Sequence, residues 1–201
     1  MNKNLIKIIS EEKLYPIIRQ KDPSKAEDIA NALIDGGVKV LEINVENSKI
    51  YNVISNISKR ADVCAGSIIT TWQATAAFEA GATMFSSPIF QMNMVKISKN
   101  MGVPFIAGAT TANEAYNAWK ARMPLIKIFP TAALGGVRYI EDILRQMPYL
   151  KVMPMGNIKY NEITDYIKAG ATAVGIGRDL CEEKDMEKII KLTKKILEEL
   201  K

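Results

Sequence analysis

Short apolar runs alternate with longer amphipathic stretches along the whole chain, and one phrase recurs where they meet. Asp35-Gly-Gly-Val38, Glu79-Ala-Gly-Ala82 and Lys168-Ala-Gly-Ala171 each end a helical pattern and precede an apolar strand. Asn100-Met-Gly-Val103 plays the same part, and Lys120-Ala-Arg-Met123 is a copy without its glycine. Glycine suits that place because a helix C-cap needs a left-handed residue. Recurring helix–glycine–strand units predict repeated β/α architecture.

The pattern predicts an N-terminal helix over about 2–13 and strands over 15–19, 38–45, 62–67, 84–88, 103–109, 125–130, 151–156 and 173–177. Between them it predicts helices over 22–35, 48–59, 71–80, 91–101, 111–120, about 136–147 and 160–169, with a last helix from 184 to the end. Pro23 falls early in the first turn opened by Asp22, where a missing N–H costs nothing. Eight strands alternating with helices predict an α/β fold, a (β/α)8 TIM barrel with an extra N-terminal helix. A doubly wound open sheet is the alternative. No linker or composition shift divides residues 1–201, so one barrel domain is expected.

Composition narrows the chemistry. Apolar residues at 48% and charged residues at 24% suit a globular protein that needs no membrane. No apolar run approaches the roughly 18 residues of a membrane span, and the N-terminus lacks a signal-peptide core, so a cytoplasmic location is expected. The net charge of +5 comes from dispersed lysines without interleaved aromatics, which argues against nucleic acid and suits a small anionic substrate. Cys64 and Cys181 form no disulfide framework. The chain contains no histidine, which removes the commonest general base, most zinc sites and every His-dependent triad.

The strand Leu125-Ile-Lys-Ile-Phe-Pro130 carries a lysine among apolar residues. Lysine is rarely buried, and a buried amine more readily takes the neutral form that attacks a ketone to make a Schiff base. The plain alternative is a lysine on an edge strand or one that snorkels to water. Alternation places Lys127 on one face with Leu125 and Phe129, and Ile126 and Ile128 on the other. On the second strand Glu42, Asn44 and Glu46 share a face that would point into the barrel, opposite Leu41, Ile43 and Val45. An inward carboxylate implies either an ion pair, with Arg19 or Lys127, or a general acid/base beside the lysine. Arg19 ends the first strand, where it could hold a carboxylate or phosphate in a two-pronged contact. Gly66-Ser67 ends the third. Met155-Gly-Asn-Ile158 and Gly175-Ile-Gly-Arg178 follow the seventh and eighth strands, the usual phosphate site of such barrels.

These residues resemble the class I 2-keto-3-deoxy-6-phosphogluconate and 4-hydroxy-2-oxoglutarate aldolases and the related phosphogalactonate aldolases. The resemblance runs from Tyr15 to about Leu180. Val40-Leu-Glu-Ile-Asn44 is similar to the family's glutamate strand and Ile126-Lys-Ile-Phe-Pro130 to its Schiff-base strand. Ala65-Gly-Ser67, Ser87-Pro88, Gly108 and Gly135-Gly-Val137 fall where the family has similar residues. The resemblance implies that Lys127 forms the imine and Glu42 moves the protons. It implies further that Arg19 and Ser67 bind the carboxylate, Pro88 borders the site, and Phe129 packs beside the lysine. The turns holding Gly156, Asn157, Gly177 and Arg178 would receive the phosphate. It implies a homotrimer, a 2-keto-3-deoxy acid substrate, and neither metal nor organic cofactor.

Three positions depart from that pattern. Glu46 stands where some members carry arginine, Asn157 replaces the second glycine of the phosphate turn, and Arg178 replaces a serine. Arg178 would grip a phosphate, fill the site or pair with Glu46. The alternatives to an aldolase are a barrel that binds a phosphorylated metabolite without turnover, and a lyase or isomerase that forms no imine at Lys127.

Overall fold

Residues 4–201 are described by the computed structural model. Its strands are β1 (Leu14–Ile18), β2 (Val40–Asn44), β3 (Asp62–Gly66), β4 (Met84–Ser86), β5 (Phe105–Ala109), β6 (Ile126–Ile128), β7 (Val152–Pro154) and β8 (Val174–Ile176). All pair in parallel, in the order β7-β6-β5-β4-β3-β2-β1-β8. A bridge between Met155 and Gly175, with the Thr172 N–H donating to the Val152 carbonyl at 2.9 Å, joins β7 to β8 and nearly closes the barrel. Gly175 permits that approach, since a Cβ there would lie 2.7 Å from the Met155 Cβ.

The helices are α1 (Leu5–Glu12), α2 (Pro23–Asp35), α3 (Ile50–Ile57), α4 (Thr71–Glu79), α5 (Met92–Met101), α6 (Ala112–Lys120), α7 (Val137–Gln146), α8 (Ile163–Lys168), α9 (Arg178–Cys181) and α10 (Met186–Glu199). Local sequence starts them where free N–H groups find side-chain oxygens. Asp22 caps α2 by accepting from the Ser24 N–H at 3.0 Å, and Thr70–Gln73 and Thr111–Glu114 form capping boxes on α4 and α6. The expected helix ends are left-handed at Gly37, Gly81, Gly102 and Gly170, and Arg122 takes the same conformation at φ 62° in the copy without glycine.

Two apolar layers result. Leu41, Ile43, Ile126 and Ile128 pack outward against the helices. Tyr15, Val40, Cys64, Met84, Ile106, Leu125, Met153 and Ala173 fill the interior, where Leu5 and Ile9 of α1 join them. The predicted alternation on the second and sixth strands therefore holds. No described helix is long and apolar enough to cross a membrane.

Apart from one additional short helix, differences from the expected elements lie at their ends. The Val38 N–H donates to the Leu33 carbonyl at 3.1 Å and closes the turn after α2, so β2 begins later than expected. A 3-10 turn at Tyr160–Glu162 precedes the shortened α8, and α9 was not expected at all. Leu180 and Cys181 of α9 are buried, which holds that single turn against the barrel. Residues 2 and 3 of the expected first helix lie outside the described residues.

Candidate active site at the barrel mouth

Lys127 lies on β6 between β5 and β7, which removes the edge-strand alternative. It is 6% exposed, its Nζ lies 3.6 Å from Glu42 Oε1, and it stands 5.5 Å from the centre of the Phe129 ring. The chain beyond it is tied down. Thr131 Oγ1 donates to the Ile128 carbonyl at 2.7 Å and accepts from the Met155 N–H at 3.2 Å, and Thr110 Oγ1 donates to the Phe129 carbonyl at 2.9 Å. The lysine is thus held by a strand fixed on both sides.

Glu42 is fully buried on β2. Both sequence alternatives for it meet here, because its ion-pair partner is the lysine itself. Its neighbour on the same face is Asn44; with its amide turned so that both ends are satisfied, it donates to Glu42 Oε1 at 3.0 Å and to Ser67 Oγ at 3.1 Å, and accepts from Arg19 Nη2 at 3.3 Å. Gly66, the Asn44 partner in the ladder, makes room for both side chains. A Cβ there would lie 2.7 Å from Glu42 Cδ and closer still to the Asn44 side-chain amide.

Arg19 pairs with Glu46 at 3.0 Å and donates to Ser67 Oγ at 3.3 Å. Glu46 is therefore neither an unpaired inward carboxylate nor the partner of Arg178. Arg178 instead donates to Asn157 Oδ1 at 2.9 Å. Asn157 is left-handed at φ 56° and follows Gly156 at φ 103°, a conformation that asparagine tolerates better than most residues.

A cleft of about 820 Å³ opens over Lys127. It is lined by the expected Arg19, Lys127, Phe129, Gly156, Asn157, Gly177 and Arg178. Glu42, Ser67 and Pro88 are not on its wall, and Glu42 lies beneath it against Lys127. Ser67 reaches it only through Arg19 and Asn44, and the Pro88 carbonyl packs on Gly108, opposite Lys127 in the ladder. The cleft lining also includes Asn44, placed on the inward face by the sequence but given no role there, and the polar side chains of Gln20 and Lys159, which the sequence did not single out. Asn44 carried a signal, its place two residues after Glu42; the other two lie in loops without one. Asp179 also lines the cleft, but its Oδ2 accepts from the Tyr160 N–H at 2.8 Å and serves the fold. Among the described residues no group of three His, Cys, Asp or Glu side chains is placed to hold a metal ion.

A parallel β/α barrel with a buried lysine–carboxylate pair beneath a cleft at the C-terminal ends of its strands carries that cleft where such barrels hold their active sites. The family model "KDPG and KHG aldolase" matches residues 5–193, and the chain belongs to that family of lyases. It is 28% identical over 199 residues to the KHG/KDPG aldolase of Escherichia coli, covering 95% of this chain and 93% of that one. It is likewise 28% identical over 166 residues to the 2-dehydro-3-deoxy-phosphogluconate aldolase of Treponema pallidum, covering 81% and 79%. The crystal structure of the 2-keto-3-deoxy-6-phosphogluconate aldolase of Zymomonas mobilis, determined with 3-phosphoglycerate, has the same fold, with TM-score 0.86, 22% identity, and 98% and 96% coverage.

Proposed function

We propose that this chain is a Schiff-base aldolase that cleaves a 2-keto-3-deoxy sugar acid, in first place 2-keto-3-deoxy-6-phosphogluconate, to pyruvate and glyceraldehyde 3-phosphate. The 3.6 Å approach of Lys127 Nζ to Glu42 Oε1 inside the barrel carries this reading. The neutral amine adds to the C2 carbonyl, and loss of water gives a protonated imine that withdraws electrons from C3. Glu42 takes the proton of the C4 hydroxyl, the C3–C4 bond breaks, and its electron pair enters the imine as an enamine. The aldehyde leaves, C3 of the enamine is protonated, and hydrolysis frees pyruvate and the lysine. Arg19, with part of its charge answered by Glu46, meets the substrate carboxylate, and Ser67 and Asn44 hold Arg19 in place. Arg178 and Lys159, beside the Gly156-Asn157 and Gly177 turns, meet the distal phosphate. Pro88 acts only by seating the strand beside Lys127. Residues 1–201 act as one domain.

The test is intact-mass spectrometry after incubation with pyruvate and sodium borohydride. A pyruvyl adduct is expected on the native chain and not on Lys127→Ala, with aldol cleavage reduced at least about a hundredfold in the variant. A second reading is favoured by the Arg178–Asn157 bond, which ties up both substituted residues of the phosphate turn. It is a barrel that binds a phosphorylated metabolite without turnover. Thermal stabilisation by phosphate without any adduct would establish it.

The functional unit is proposed to be a homotrimer. Ile69, Trp72, Ile89 and Met92 are exposed at the starts of α4 and α5, more apolar surface than isolated side chains explain. Light scattering should give three times the 22.3 kDa chain mass, and Trp72→Glu should lower it.

A further inference from the structure

We propose that Tyr15 is a positioning residue for the Glu42 carboxylate, holding it from inside the barrel by a phenol that donates to Oε2 during proton transfer. This rests on the aldolase reading above. Three residues from adjacent strands meet below the cleft. Glu42 and Cys64 are direct partners across β2 and β3, and Ile17 on β1 pairs with Glu42, which puts Tyr15 on the same inward face two residues earlier. Tyr15, Glu42 and Cys64 are each 0% exposed.

Glu42 uses only one of its oxygens. Oε1 faces Lys127 from β6 at 3.6 Å and the Asn44 amide from its own strand at 3.0 Å. Oε2 is buried without a hydrogen-bond partner, and so is the Tyr15 hydroxyl. Tyr15 shares the inward face of adjacent strands with Glu42 and Cys64. The Cys64 thiol is already directed at the Ala65 carbonyl at 3.9 Å, which leaves the phenol as the donor for Oε2. Arg19 lies beyond Asn44 and is paired with Glu46, so it supplies little charge to Oε2. Burial, with Cys64 and Glu42 close by, pushes the phenol well above its ordinary range, so it remains a protonated donor throughout the working range of the enzyme. Its hydrogen bond favours the ionised, proton-accepting form of Glu42 and fixes its orientation toward the substrate.

Exchange of the pyruvate methyl protons in D2O, followed by NMR, tests this apart from the identity of the aldehyde. Enamine formation and reprotonation need the lysine and a base but no second substrate. In Tyr15→Phe the acidic limb of the exchange profile should move to higher pH, with exchange at pH 6 slowed about tenfold and borohydride trapping at pH 8 preserved. Cys64→Ser sets a stronger donor opposite Glu42 and should move the limb the other way. It carries the test alone if Tyr15→Phe does not fold. A limb unmoved in the folded variants, or a loss equal at every pH, overturns the inference. If the native chain neither traps pyruvate nor exchanges its protons, the aldolase reading fails instead.

Discussion

At the scale of single residues, the site depends on what is missing as much as on what is present. Gly66 has no side chain because the space above it belongs to Glu42 and Asn44. Gly66→Ala should therefore displace the carboxylate, lowering aldol cleavage at least about tenfold and costing roughly 1–3 kcal/mol of stability, as overpacking does. Steady-state kinetics and urea unfolding check the two parts; unchanged kinetics would show that Glu42 has freedom to move aside. The inward, buried placement of Lys127 and Glu42 was legible because a charged residue inside an apolar alternation has few innocent explanations. Tyr15 was not legible, since a tyrosine in an apolar strand is indistinguishable from core. The Arg19–Glu46 pair was not legible either, because it joins the ends of two strands whose side chains meet only once the barrel forms.

Among the elements, the five helix ends form a series. Four end on a left-handed glycine and one on Arg122, which is exposed and takes φ 62°. A β-carbon is strained in that conformation, so Arg122→Gly should stabilise the protein by about 0.5–1 kcal/mol despite the extra freedom of glycine when unfolded. Thermal unfolding would show it as a higher midpoint, and a lower one would mean that the Arg122 side chain contributes more than its backbone costs. The sequence placed every helix and strand in order but missed α9. Four residues are too few to show periodicity, and Leu180 and Cys181 become an apolar face only when the barrel stands beneath them. It also ran the strands past their ladders, since apolar character continues after the hydrogen bonds stop.

Across the whole molecule, burial couples stability to alkaline pH. Cys181 is pushed up from the ordinary thiol value of 9.0 to about 12, by burial first, and burial raises Cys64 as well. Below about pH 9 both thiols are protonated whether the chain is folded or not, and that stability is fully present. Above it the unfolded chain ionises first, so each thiol removes about 1.4 kcal/mol per pH unit until its folded value is reached. Urea midpoints should change little from pH 8 to 9 and fall from pH 9 through 10 to 11, and that fall should be shallower in Cys181→Ala. Equal slopes would show that other groups govern the alkaline limit.

The sequence by itself determined the repeat, the eight strands alternating with helices and the inward faces of Lys127 and Glu42. Those follow from local rules: left-handed helix ends, short apolar runs and strict alternation along a strand. The tertiary structure alone decided which charges meet, because that depends on neighbouring strands brought into register. It paired Arg19 with Glu46 and Arg178 with Asn157, set Ser67 and Pro88 back from the cleft, and brought the unpartnered Tyr15 hydroxyl and Glu42 Oε2 onto the same inward face.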